Sequence, residues 1–325
     1  MFKSKKKIAV IGCGYWGKNL ARNFFELGAL GAIVDPNLQT AQLHAKQYDV
    51  PALDMNEALA DSDIKAVVIA APAELHKKLA LQAIAAGKDI YVEKPLALST
   101  SDGEEIRLAA ESAGVTLMVG HLLQYHPVFQ KIKEIVQRGD IGEINYVYSN
   151  RLSFGKVRSK EDVIWSFAPH DISMILSLVG EEPEHISCKS SSFLQKNLAD
   201  IASIHMKFKS GIKSDIRVSW VNPLKEVKLV VTGKSGMLVF DDTKTWNEKL
   251  ALHSYEIDHL KGLNLKKTKE EYIKVIEEEP LKNECQHFID VVDGISKPLT
   301  DAFEGLKVLK VLTAASVKEK NQIIK

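Results

Sequence analysis

Three groups of residues in this chain have types and spacings that can do chemistry. Gly12, Gly14 and Gly17, in AVIGCGYWGKNL, follow an apolar run and open a helical one. In that setting, G-x-G-x-x-G spacing makes a turn tight enough for backbone amides to approach a pyrophosphate, and the helix N-terminus favours the anion. Asp35 ends the next apolar run, about 20 residues on, where a carboxylate accepts hydrogen bonds from an adenosine ribose and repels a 2′-phosphate. That favours NAD over NADP. Glu93, Lys94 and Pro95, in IYVEKPLAL, end a further buried run with two opposite charges and a ring that cannot continue a ladder. A lysine ammonium at the carboxyl end of a parallel strand faces the ligand crevice and can hydrogen-bond a reacting oxygen. His170, in WSFAPHDISMI, titrates in the range that suits a general base. Each group also has a plain structural reading: a tight turn at the glycines, a turn before Pro36 at Asp35, an exposed ion pair at Glu93 and Lys94, and a bonded core histidine at His170.

The elements around them alternate. KIAVIG, GAIVD, IKAVVIAAP, DIYVEKP and VTLMVGH read as strands, with helical periodicity in GKNLARNFFEL, LQTAQLHAKQY, LHKKLALQAIAAG and TSDGEEIRLAAESAG between them. MNEALADSD reads as a short helix and turn. The strands are continuously apolar, as parallel strands covered on both faces are. The pattern predicts an α/β fold, a doubly wound parallel sheet of Rossmann type, over residues 1–122. From there the texture changes. A helix, HPVFQKIKEIVQRG, leads into period-two runs such as IASIHMKFKSG, IKSDIRVSWV and KEVKLVVTGKSG, separated by Lys209-Ser210-Gly211 and Lys234-Ser235-Gly236. Residues 123–325 are therefore expected to form an α+β domain with a large, open, mostly antiparallel sheet joined by hairpins.

Composition narrows the partners. Lys plus Arg number 43 and Asp plus Glu 42, so no global field favours nucleic acid or an anionic membrane. No apolar stretch has the length of a bilayer span, and the basic start followed by IAVIG is too short for a signal peptide. The three cysteines, Cys13, Cys188 and Cys285, fit neither a disulfide framework nor zinc spacing, which points to a reducing cytoplasm. No histidine spacing suggests a metal.

AVIGCGYWGKNL, AAPAELH, YVEKPLA, GHLLQYHPVF, WSFAPHDI and the tail LKNECQHFIDVVDGISKPLTDAFEGLKVLKVL together resemble the Gfo/Idh/MocA family of NAD(P)-dependent sugar and cyclitol oxidoreductases. The resemblance runs over nearly the whole chain. It implies an enzyme that oxidises a CH–OH group of a sugar with NAD, and a homo-oligomer built through the face of the second domain's sheet. It assigns the substrate-oxygen contact to Lys94 and the general base to His170 at a helix start. Hydride transfer from a secondary alcohol leaves a proton for such a base to remove. Tyr15, Trp16, Ala71, Pro72, His76 and Glu93 lie in the matched segments as cofactor contacts, beside Gly12, Gly14, Gly17, Asp35 and Lys94. Tyr125 and His126 stand where many relatives carry an Arg-rich version, as substrate contacts. Ser166 replaces an aspartate common in relatives, so the base role rests on His170, with Asp171 as an orienting group or substrate contact. Arg151, Lys156 and Arg158 precede His170 and can pair with a pyrophosphate or a carboxylate, or form a solvated loop. GYWGKNLARNF, RLSFGKVRS and WSFAPHDIS look most like the nucleotide-sugar 3-dehydrogenase branch. That branch implies a UDP-N-acetylglucosamine or glucuronate-form substrate and an aminotransferase downstream, in bacterial surface-polysaccharide or lipid A biosynthesis. A different polyol dehydrogenase, a reductase of a 3-keto sugar and a regulatory protein that keeps NAD without chemistry are the rival readings.

Overall fold

The computed structural model describes residues 7–155, 157–258 and 264–316. The chain divides into two compact units, one of residues 1–125 with 279–309, the other of residues 126–278 with 310–325. The return of residues 279–309 to the first unit differs from the expected single division after residue 122.

In the first unit, β1 (Lys7–Ile11), β2 (Leu30–Val34), β3 (Ile64–Ile69), β4 (Asp89–Glu93) and β5 (Leu117–Gly120) form a sheet of order β2-β1-β3-β4-β5, parallel throughout. Crossovers run through α1 (Gly17–Glu26), α2 (Leu38–Tyr48), α3 (Met55–Ala60), α4 (His76–Ala85) and α5 (Thr100–Ala113). The helices begin where capping chemistry begins. Asn37 accepts from Thr40 N before α2, Ser99 accepts from Asp102 N before α5, and Asp54 forms a capping box with Glu57 before α3. The strand order reverses between β1 and β3, and in open α/β sheets that reversal, at the carboxyl ends, opens the ligand crevice.

In the second unit, α6 (Pro127–Arg138) leads into β6 (Ile144–Phe154), α7 (Val163–Val179), β7 (Pro183–Ser191), β8 (Ile201–Phe208), β9 (Lys213–Ser219), β10 (Val221–Gly233), β11 (Gly236–Asp241), β12 (Leu250–Asp258) and β13 (Asn264–Tyr272). The eight strands form one sheet of order β13-β12-β11-β10-β6-β9-β8-β7. Hairpins join β8 to β9 and β10 to β11 where the glycine turns predicted them, with Gly211 at φ +90°. β9 and β10 are not neighbours, however. β6 lies between them, antiparallel to β10 and parallel to β9. A parallel pair needs a long crossover, and the chain makes it through α7 and the β7–β8 hairpin.

The chain then returns. α8 (Pro280–Val292) brings Leu281, Cys285, Phe288 and Val292 along one face onto the first unit. The Phe288 ring meets Phe24 of α1 edge-on at 6.2 Å and Tyr91 of β4 at 5.6 Å. α9 (Ala302–Ser316) follows. No described helix is long and apolar enough to cross a membrane.

Candidate cofactor and catalytic site

The glycine loop leaves the carboxyl end of β1. Gly12 takes φ +91°, and a Cβ there would lie 2.9 Å from Ala70 O. A Cβ on Gly17 would lie 1.8 Å from Gly12 O, so neither position admits a side chain. Gly14 differs: a Cβ there would meet nothing within 4 Å. Packing does not demand this glycine; it leaves the front of the loop bare, as close approach by a pyrophosphate requires. α1 has no side-chain cap and no acidic residue in its first turn, which leaves its positive end to an anion. Asp35, half-buried at the end of β2, accepts from Cys13 N at 2.8 Å and Asn37 N at 2.9 Å. Two acceptor sites of the carboxylate are thus used on the loop and two remain for a ribose diol. These residues fit a dinucleotide. Burial and then the Asp35 charge push the Cys13 thiol up to about 12, so it stays protonated.

Tyr15 is an exposed ring with Lys18 Nζ 5.7 Å from its centroid. Trp16 turns inward, and its Nε1 donates to Glu93 Oε1 at 2.6 Å. Glu93, at the end of β4, also accepts from the Tyr91 hydroxyl at 3.1 Å and from Lys94 N at 3.2 Å. Burial raises the Glu93 pKa; the Trp16 hydrogen bond and the Lys94 charge oppose it. Lys94 follows, half-buried, joined to Pro95 by a cis peptide. Gly120 on β5 makes room for this group, since a Cβ there would lie 2.6 Å from Tyr91 Oη and 3.1 Å from Glu93 Cδ.

His76, expected beside the cofactor, is enclosed by the protein. It is 1% exposed, with Nδ1 2.8 Å from Pro95 O and Nε2 2.9 Å from Ala71 O. It fastens the loop after β3, with Ala71 and Pro72, to the turn after Lys94. Burial lowers its pKa, while the two carbonyls pull it up. Tyr125, expected as a substrate contact, is enclosed as well. It is a core residue whose hydroxyl lies 2.9 Å from Thr300 Oγ1 and whose ring packs on His287. His126 caps α6, accepting from Val128 N at 3.1 Å, and stacks on Trp246.

In the second unit, α7 starts at Val163, capped by Asp162 through Ile164 N and Trp165 N. His170 is therefore about two turns inside the helix rather than at its start. Pro169, just before it, removes the amide that would bond Trp165 O. His170 is half-buried and Ser166 is buried on the same helix. Asp171 is 1% exposed and turns into the protein. It takes Arg151 Nε at 2.7 Å, Arg151 Nη2 at 3.2 Å and the Ser149 hydroxyl. Of the two expected roles for Asp171, this geometry favours the orienting one: it holds the Arg151 guanidinium by a two-point contact. Arg158 is exposed and 3.6 Å from Glu161, and Lys156 lies outside the described residues. Among the described residues no cluster of His, Cys, Asp and Glu could hold a metal.

Sequence reasoning missed Gly120 and Glu284. Glu284 lies on the buried side of α8, beside the Tyr91 hydroxyl. Burial, and then the Glu93 charge, push its pKa well up. The available signal was a carboxylate inside the apolar stripe Leu281, Cys285, Phe288.

Comparison with known proteins agrees with both units. A family model described as oxidoreductase family, NAD-binding Rossmann fold matches residues 6–121, and the GFO/IDH/MocA C-terminal domain matches residues 129–239. The chain is 26% identical over 250 residues to a 2,7-anhydro-N-acetylneuraminate hydratase of Mediterraneibacter gnavus, covering 72% of this chain and 66% of the relative. It is 24% identical over 306 residues to the UDP-N-acetylglucosamine 3-dehydrogenase of Acidithiobacillus ferrooxidans, covering 93% of this chain and 94% of the relative. A solved structure of that dehydrogenase, GnnA, superposes with TM-score 0.84 at 23% identity, over 96% of this chain and 97% of the other. GenD2 from gentamicin A biosynthesis, solved with NAD, gives TM-score 0.80 at 21% identity over 96% and 93%.

Proposed function

Since the chain belongs to the GFO/IDH/MocA oxidoreductase family and carries its NAD-binding domain, we propose that it oxidises the 3-hydroxyl of a UDP-N-acetylhexosamine to the 3-keto sugar. The observation that carries this reading is the end-to-end match to a UDP-N-acetylglucosamine 3-dehydrogenase, which spans 93% of this chain and 94% of the relative. The hydratase match spans 66% of its relative.

Bound NAD supplies the hydride acceptor. In this reading Asp35 holds its ribose and the bare glycine loop its pyrophosphate. Lys94 donates to the sugar oxygen as negative charge develops there, and His170 removes the hydroxyl proton. Arg151 on β6, fixed by Asp171, is a substrate contact, with Arg158 and Lys156 further along the sequence as its proposed partners. The product of this reaction is a ketone open to transamination, and the reading assigns the enzyme to surface-glycan or lipid A synthesis in the cytoplasm. Residues alternate across a strand, so Tyr146 and Tyr148 lie on the sheet face opposite Ser149 and α7. That face, with Asp215 and His205, is the proposed homo-oligomer interface.

The test is NADH absorbance after mixing protein, NAD and either UDP-N-acetylglucosamine or its glucuronate, with a partner aminotransferase present to draw off the ketone. A rise with either supports the reading. No rise with either, from protein that binds NAD, overturns it. The hydratase match favours a second reading, in which a sugar is converted without net NADH; product analysis by mass spectrometry separates the two.

A further inference from the structure

The carboxyl edge of the first sheet carries a second titratable group beside Lys94. β4 and β5 pair in register with Glu93 opposite Gly120, so Lys94 and His121 leave the sheet on adjacent strands as the next residue of each. Neighbouring strands run about 4.8 Å apart. His121 is 1% exposed, and its Nδ1 lies 2.5 Å from Glu304 Oε2. That carboxylate comes from the far end of the chain through a built dock. Val119 N donates to Thr300 O at 2.8 Å, the Thr300 hydroxyl donates to Val119 O at 2.6 Å, and Met118 bridges Asp301. Glu304 N is fixed by Asp301 Oδ1 at 2.8 Å. A Cβ on Gly305 would lie 2.7 Å from Val119 Cγ2, so glycine lets this segment close on β5. Together these contacts bring one carboxylate to one ring nitrogen.

A carboxylate on Nδ1 fixes the proton there and leaves Nε2 as an acceptor. We infer that His121 and Glu304 form a carboxylate–imidazole dyad that positions the Lys94 ammonium, with His121 Nε2 as its acceptor. The inference rests on the oxidoreductase reading of Lys94. Neither residue touches the reacting atoms; both act through Lys94. The charged and titratable groups around the dyad are Glu93 and Lys94 from the end of β4, Glu284 from α8, Tyr125 after β5, and Asp301. The Glu304 charge contributes to raising both Tyr125 and Glu284, after burial.

The experiment has a kinetic and a spectroscopic arm. In the kinetic arm, His121→Asn lowers kcat by about 10-fold to 100-fold, with the Kd for NAD unchanged, because a misplaced group costs on that scale. In the Lys94→Ala background the same change costs less than about twofold, since coupled residues are non-additive. Equal losses in the two backgrounds overturn the inference. Glu304→Gln keeps an acceptor oxygen and retains most of kcat, whereas Glu304→Leu falls with His121→Asn; a Glu304→Leu protein as active as wild type also overturns it. In the spectroscopic arm, 15N-histidine NMR of the resting protein shows a protonated Nδ1 and a bare Nε2 for His121, assigned by loss of its signal in His121→Asn. A bare Nδ1 overturns the dyad whether or not any sugar is turned over. A protein that shows the dyad signature but oxidises no sugar alcohol refutes the proposed function and leaves the dyad standing.

Discussion

At the scale of the residue, Lys94 and His170 are the proposed reacting pair. Lys94→Ala and His170→Ala are each expected to lower kcat by about 10²-fold to 10⁴-fold, with NAD still bound in a fluorescence titration. A rate within a few-fold of wild type in either variant refutes that residue's role. Asp171 is a different case. Its removal strands the Arg151 guanidinium, so Asp171→Ala should destabilise the second unit by about 3–5 kcal/mol, read as a lower urea midpoint. An unchanged midpoint would show that the pair contributes nothing net. What the sequence makes legible at this scale is placement set by near neighbours. Gly12, Gly17 and Asp35 lie within one strand-turn-helix-strand unit, and Glu93 and Lys94 at one strand end. The surroundings of Tyr125 and His76 were not legible, because the partners of their polar atoms, Thr300 for one and Pro95 and Ala71 for the other, come together only in the folded chain.

At the scale of the element, α8 shows why the rest was hidden. Its apolar stripe marks it as an amphipathic helix but does not say which sheet it covers. The answer depends on Phe288 meeting Phe24 and Tyr91, contacts that span most of the chain. Phe288→Ala should cost about 3–5 kcal/mol and weaken NAD binding, because Tyr91 underlies Glu93 and, through it, Trp16 of the glycine loop. A variant with full stability and full NAD affinity would show that α8 does not support the cofactor end. The eight-stranded sheet has the same lesson. Alternation announced the strands and glycines announced the hairpins. The insertion of β6 between β9 and β10 has no local signal, because a parallel pairing is set by a long crossover.

At the scale of the whole molecule, Asp35 is the proposed determinant of cofactor choice: NAD should bind more tightly than NADP by isothermal titration, and the reverse order would refute its assignment. Acid stability of the second unit is tied to Asp242. Burial pushes its carboxyl up, but the His126 ring 3.6 Å away and the Lys249 ammonium that donates to it outweigh burial and hold it at about 2, below the ordinary 3.8. A depressed carboxylate contributes stability that is present above its unfolded value and is lost as pH falls through the folded one. Wild type should therefore lose stability between about pH 4 and pH 2 more steeply than Asp242→Asn, in acid titrations followed by circular dichroism; parallel curves would refute this. The return of residues 279–309 also orders events during synthesis. A ribosome that has delivered residues 1–125 has made all five strands of the first sheet, yet Phe24 and Tyr91 still wait for Phe288. At about 5–20 residues per second, that wait lasts on the order of ten seconds or more. A nascent chain stalled before Glu279 should accordingly be cut by protease within the first unit, and should become resistant once α8 has emerged.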